Sequence, residues 1–223
     1  GEIRLIEKSV RVTDKVFEEI LPLIRPGVRE LDISAEIDYL IKRKGGEGVA
    51  FDTIVASGPN SSMPHAVPTA RRIKSGDFVL MDFGAVCKGY RSDFTRTVVV
   101  GRPKTEQSKM YDVVLRAQEA AIGAARAGVS CGQLDARARR VIEREGYGPR
   151  FGHSLGHGIG LSTHEEPRLS SRNEDLLRKG MVTTIEPGIY LPGKGGVRIE
   201  DVVVIEKDGS RILTGSPKHL ISL

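Results

Sequence analysis

Along the first 25 residues Ile6, Val10, Thr13, Phe17, Ile20 and Ile24 recur at steps of four and three, the period of one helix face. Arg25-Pro26-Gly27-Val28 breaks that helix, and a second is predicted from about Leu31 to Lys44, closed by Gly45-Gly46. The pattern returns later in the chain. Tyr111 to Ala127 reads as a helix ending in Arg126-Ala127-Gly128-Val129, and another runs to Glu145 and is closed by Gly146. The two pairs superimpose without a gap: Arg25, Gly27, Ala35, Ile41, Arg43 and Gly45 recur 101 residues on as Arg126, Gly128, Ala136, Ile142, Arg144 and Gly146. Two arbitrary helices would not share the break and both ends.

The repeat continues into strands. Lys74-Ser75-Gly76 leads to Asp82-Phe83-Gly84 just as Arg178-Lys179-Gly180 leads to Glu186-Pro187-Gly188. Each carboxylate ends an apolar run, and each is followed by a glycine-containing turn and a valine-rich return, Thr95 to Val100 and Val197 to Ile205. Each half is therefore predicted as two helices followed by an antiparallel hairpin. Two such halves, about 1–103 and 104–223, pack most simply edge to edge about a pseudo-two-fold axis, with helices covering one face of the sheet. This is a compact α+β domain whose acids converge on the open face.

Composition narrows the class without naming a function. The 223 residues are 39% apolar and 28% charged, ordinary for a soluble globular protein and wrong for a disordered one. No apolar run reaches the roughly 18 residues needed to cross a bilayer, so no membrane partner is expected. The net charge of +5 is spread among nearly as many acids, and the densest basic runs lack interleaved aromatics; a solvated helix face explains them better than nucleic acid. Cys87 and Cys131 have no framework or metal spacing, and free thiols without a leader point to the cytoplasm.

The acids change the picture. Asp82 and Asp93 flank a turn around Lys88-Gly89, and Glu186 and Glu200 flank Pro192-Gly193, so each hairpin brings its two carboxylates nearly opposite each other. One such pair alone reads as a solvated strand face. Two related pairs on strands containing Phe94, Val98, Ile185 and Val202 do not, because unpaired carboxylates in a buried sheet are costly. Four of the five histidines fall into two motifs, Pro64-His65-Ala66 and a run holding His153, His157 and His164, with His157 inside the glycine-rich Gly156–Gly160 that leaves room around one imidazole. Four carboxylates and an imidazole balance two divalent cations. The oxygen-rich set suits Mn²⁺, Co²⁺ or Fe²⁺ better than a structural zinc, although Zn²⁺ stays open. Two such ions about 3.5–4 Å apart activate water for amide hydrolysis.

These residues resemble the pita-bread metallopeptidases, which include methionine aminopeptidases, Xaa-Pro aminopeptidases and Xaa-Pro dipeptidases. The resemblance rests on Met81-Asp82-Phe83-Gly84, Ser92-Asp93-Phe94-Thr95-Arg96-Thr97, Gly156–Gly160, His164-Glu165-Glu166-Pro167, Ile185-Glu186-Pro187-Gly188 and Arg198-Ile199-Glu200-Asp201. It implies two metals. Asp82 would chelate one, His157 and Glu186 the other, and Asp93 and Glu200 would bridge them. It further implies Glu186 as general base, His164 steadying the oxyanion and His65 near the leaving side. His153 and Arg198 resemble the proline-directed branch, and period-two alternation sets Arg198 on the strand face of Glu200, either touching substrate or holding a carboxylate.

The reading is thus a metallopeptidase domain over residues 1–223 that removes the first residue of a peptide, preferring proline second. The domain that usually precedes the catalytic one in the proline-directed branch is not expected here, and a homodimer stays open. Methionine aminopeptidase is the nearest alternative. Two readings from other classes are a non-catalytic binding protein of this fold and a metal-free relative hydrolysing a small guanidino compound.

Overall fold

The computed structural model describes all 223 residues. In the first half, α1 (Glu2–Ile20) and α2 (Glu30–Arg43) precede β1 (Gly48–Val49), β2 (Ile54–Ser57), β3 (Phe78–Asp82), β4 (Ala85–Cys87), β5 (Tyr90–Arg91) and β6 (Thr95–Val99). In the second, α3 (Thr105–Ala124) and α4 (Cys131–Arg144) precede β7 (Gly156–Gly158), β8 (Glu165–Leu169), β9 (Val182–Ile185), β10 (Gly188–Leu191), β11 (Gly195–Arg198), β12 (Asp201–Ile205) and β13 (Ser210–Ile212). The order of elements repeats as the sequence predicts. Boundaries differ in both halves. The first helix, α1, ends at Ile20, where a 3-10 turn carrying Pro22 takes over before Arg25. In the second half α3 ends at Ala124, and it begins six residues before Tyr111 because the Gln107 side chain accepts from Lys104 N and caps a polar first turn that carries no apolar period.

Each half has its own core. Phe17, Ile20, Ile33, Ile37 and Ile41 of the first helix pair pack on Val79, Met81 and Val98, while Val113, Ala117, Leu134 and Ile142 of the second pair pack on Ile185, Ile199 and Val203. Helices thus cover one sheet face in both halves and leave the other for the site.

The long hairpins carry the acids. Asp82 pairs with Thr95 and Val86 with Arg91 in a single register, closed by a two-residue turn in which Lys88 and Gly89 both have positive φ. Asp93 therefore lies two residues nearer the turn than the partner of Asp82. In the second hairpin Ile185 pairs with Asp201 and Gly188 with Arg198, and that register sets Glu186 opposite Glu200.

The halves meet where β6 runs beside the β11–β12 return. Glu200 N donates to Thr95 O, and the Thr97 hydroxyl accepts from Arg198 N and donates to Arg198 O, so a side chain replaces one rung of the ladder. Behind this seam the buried Arg96 guanidinium binds Asp201 at 2.8 Å and donates to the carbonyls of Thr95, Glu200 and Ser216. Replacing Arg96 by alanine strands these acceptors and the Asp201 charge, although Lys218 Nζ stays 3.0 Å from Asp201. Arg96→Ala should therefore cost about 3–5 kcal/mol in denaturant unfolding; a loss below about 1 kcal/mol would remove Arg96 from the seam.

Candidate metal centre

Five elements deliver the predicted residues to one cavity of about 600 Å³, lined by His65, Asp82, Asp93, His153, His157, His164, Glu186 and Arg198 among others. Asp82 ends β3, Asp93 sits just before β6, His157 lies on β7, Glu186 follows β9 and Glu200 precedes β12. Glu200 lies beneath the lining, 1% exposed. Backbone cross-links fix the two glutamates: Glu186 N donates to Leu155 O, and Glu200 N crosses the seam to Thr95 O.

One ligand atom each from Asp93, His157 and Glu200 falls within 4.8 Å of the others. Glu186 joins them through His157, whose Nε2 is 3.3 Å from Glu186 Oε1 and 3.5 Å from Asp93 Oδ2, longer than ordinary N–H···O hydrogen bonds. Asp82 stands slightly apart, its Oδ2 bound by Arg198 Nη2. His157 Nδ1 lies 2.9 Å from Gly158 O, a carbonyl that can only accept, so Nδ1 carries the proton and Nε2 faces the acids.

The electrostatics are those of a site built for cations. Burial raises Asp82 to about 7, outweighing the charge of Arg198, with Asp93 and Glu186 adding to the rise. Burial and then the neighbouring acids raise Glu200 well above the carboxylate range, and burial raises Asp93 too despite His157. Glu186 goes the other way: burial opposes its charge, but His157 with His153 and Arg198 brings it down to about 2. His157 is held at about 11, burial being overridden by Asp93 and Glu186. Buried Asp82 Oδ1 and Glu200 Oε1 have no hydrogen-bond partner at all. Orphaned carboxylate oxygens around an imidazole nitrogen are the donor set divalent metals take, and the residues fit such ions.

Arg198 is 3% exposed and wholly engaged: Nε donates to Thr95 Oγ1, Nη1 to Pro64 O and Tyr190 Oη, and Nη2 to Asp82. Of its two expected roles, this is the geometry of the one that holds a carboxylate. His153 is engaged too. Its Nδ1 is 2.8 Å from Ser154 O and its Nε2 2.9 Å from Tyr190 Oη, so the ring presents its face and carbon edge to the cavity. Tyr190, which the sequence reading passed over, links the pair by donating to His153 and accepting from Arg198. Glycine makes its place, since a Cβ on Gly188 would lie 2.5 Å from the Tyr190 hydroxyl. His164 lies ring to ring with His157 at 4.4 Å, and His65 is exposed at the rim. Arg168 on the wall was also missed; an arginine on an exposed strand edge carries no local signal.

The glycines around His157 serve a purpose other than the expected one. A Cβ on Gly156 would lie 2.1 Å from Thr184 O and one on Gly158 2.4 Å from Glu166 O, so they let β7 press between its neighbours rather than clear space for the imidazole.

Comparison with known proteins follows this geometry. The model of metallopeptidase family M24 matches residues 4–207, and the chain belongs to that family. It is 48% identical over 99% of its length to an Xaa-Pro dipeptidase of Pyrococcus horikoshii. Among solved structures it is similar to an Xaa-Pro dipeptidase from Bacillus anthracis (TM-score 0.98, 46% identity, all of this chain and 62% of that one). An X-Pro aminopeptidase from Thermotoga maritima is as similar (TM-score 0.98, 45% identity, all of this chain and 63% of that one). The pita-bread fold and the resemblance to relatives named for Xaa-Pro substrates are thus borne out, and the chain spans 63% of the length of the P. horikoshii relative.

The raised carboxylates generate a test. Asp82 holds its proton more tightly in the folded metal-free protein than the ordinary value of 3.8 allows. That stabilisation is fully present below about pH 4 and lost as pH rises through about 7. Metal entering the cluster displaces these protons and removes the repulsion. Mn²⁺ should therefore raise the Tm more at pH 7.5 than at pH 5.5, with proton release seen by calorimetry in buffers of different ionisation enthalpy. Equal shifts without proton release would contradict this electrostatic account.

Proposed function

We propose that this chain is the catalytic part of a two-metal Xaa-Pro peptidase in which Asp82, Asp93, His157, Glu186 and Glu200 hold the metals. The carrying observation is one cavity with orphaned carboxylate oxygens on two related hairpins, facing a wall of histidines and arginines. Divalent cations there would supply a water acidic enough to attack at neutral pH and a Lewis acid for the carbonyl oxygen. Mn²⁺ or Co²⁺ suits the donor set best, with Fe²⁺ or Zn²⁺ as alternatives.

The chain's own residues do the rest. Glu186 takes a proton from the attacking water and returns it to the leaving nitrogen. His164 is depressed by burial and then by His157, so it faces the substrate neutral and donates an N–H to the oxyanion. His65 stands at the leaving side. Arg198 keeps one Asp82 oxygen occupied and leaves the other free. Phe51, Ile54 and the face of His153 offer an apolar wall to a proline ring. Arg168, whose side chain makes only a 3.3 Å contact to Ser154 Oγ, offers its guanidinium to a free carboxylate, which favours dipeptides over longer chains.

The test strips the protein with chelator, restores Mn²⁺, and compares an Xaa-Pro dipeptide, an Xaa-Pro tripeptide and a Met-Ala tripeptide. Mn²⁺-dependent cleavage of the proline substrates alone is expected; cleavage of Met-Ala alone would move the assignment to methionine aminopeptidase. Activity that survives chelation would favour the metal-free relative. Arg198→Ala should lower kcat/KM by about 10²-fold or more. Arg168→Ala should hurt the dipeptide more than the tripeptide, and equal losses would remove the carboxylate role.

A further inference from the structure

His65 makes no hydrogen bond of its own and is exposed, so the backbone beneath it decides where it points. It rides on a strap, residues 57–69, that leaves β2 and crosses towards β11. Both feet of the strap stand on one carboxylate. Glu30, the first residue of α2, is 0% exposed. Its Oε1 accepts from Ser57 N and Ser57 Oγ, both at 2.7 Å. Its Oε2 accepts from Thr69 N at 3.0 Å and Thr69 Oγ1 at 2.6 Å. The Asn60 amide reaches both oxygens at 3.1 Å. From Asn60 the order passes up the strap: Met63 N donates to Asn60 O and Ala66 N to Met63 O, which brackets His65.

The repeat shows what is special here. In both halves the start of the second helix grips the passing loop through backbone N–H groups. Glu30 N binds Arg71 O and Leu31 N binds Thr69 O, as Cys131 N binds Asp175 O and Gly132 N binds Asn173 O. That grip suffices in the second half, where the position of Glu30 is taken by a buried thiol. A fully buried carboxylate is a costly addition. The segment that carries His164 in the second half is instead tied down by the β7–β8 ladder, whereas the strap that carries His65 pairs with no strand beyond Ser57 and has this carboxylate at its feet.

We propose that Glu30 is a positioning residue that acts through the strap to set His65 against the leaving side of the substrate. The kinetic consequences rest on the peptidase reading above; the structural one does not. Glu30→Gln keeps the size but turns an NH₂ towards donors. It should accelerate hydrogen–deuterium exchange within 57–69 while Mn²⁺ affinity stays within about twofold. It should also lower kcat/KM on an Xaa-Pro dipeptide by up to about 10²-fold, the scale of a misplaced catalytic group. In a His65→Ala background the same change should cost almost nothing more. Thr69→Val removes one of the two hydrogen bonds at that foot and should reproduce the pattern more weakly, which serves if Glu30→Gln fails to fold.

Unchanged exchange in 57–69 would overturn the proposal. So would loss of protection spread over the whole chain with lost metal affinity, or additive losses in the double variant. If the wild-type chain cleaves no Xaa-Pro peptide, the peptidase reading fails while the exchange measurement still decides the role of Glu30 in the strap.

Discussion

Four carboxylates held in a buried cleft repel one another and lack the water that would normally solvate them. The protein answers only part of that problem itself. Arg198 neutralises one oxygen of Asp82, Thr95 donates to one oxygen of Glu200, and His157 stands near Asp93 and Glu186 at distances too long for good hydrogen bonds. The unanswered part is visible as orphaned oxygens and as acids pushed upward by burial. A fold that spends stability in this way is organised around ions, and the rest of the molecule keeps the carboxylates from swinging apart without them. The hairpin registers, the seam at Thr97 and the guanidinium of Arg96 behind it all serve that end.

The two halves solve the same problem with the same parts and then diverge. Both place a carboxylate at the end of a buried strand, and both begin their second helix by gripping a loop. The divergence is on the facing wall of the cavity. The first half adds Glu30 and a strap bearing His65; the second adds the β7–β8 wall with His164 and Arg168. A nearly symmetric cradle of carboxylates is thereby faced by an asymmetric wall.

The cradle was legible in the sequence because it is local. Carboxylates at strand ends, turns at Lys88-Gly89 and Pro192-Gly193, and the recurrence of Arg25-x-Gly27 as Arg126-x-Gly128 all appear within short windows. The framework that holds the cradle was not legible, because its bonds join distant positions: Tyr190 to His153, Arg198 to Pro64, Glu30 to Thr69. Nothing in the spacing of Glu30 distinguishes it from a solvated residue at a helix start. The glycines of Gly156–Gly160 were noticed but misjudged, since sequence records that space is needed and not what fills it.

The most direct test of the account is diffraction at the manganese absorption edge from crystals grown with Mn²⁺. The account predicts two anomalous peaks in the cavity, flanked by Asp93 and Glu200, with His157 and Glu186 beside one and Asp82 beside the other. No peak there, with the cleft's carboxylates still gathered, would contradict the claim that the fold is organised around metal.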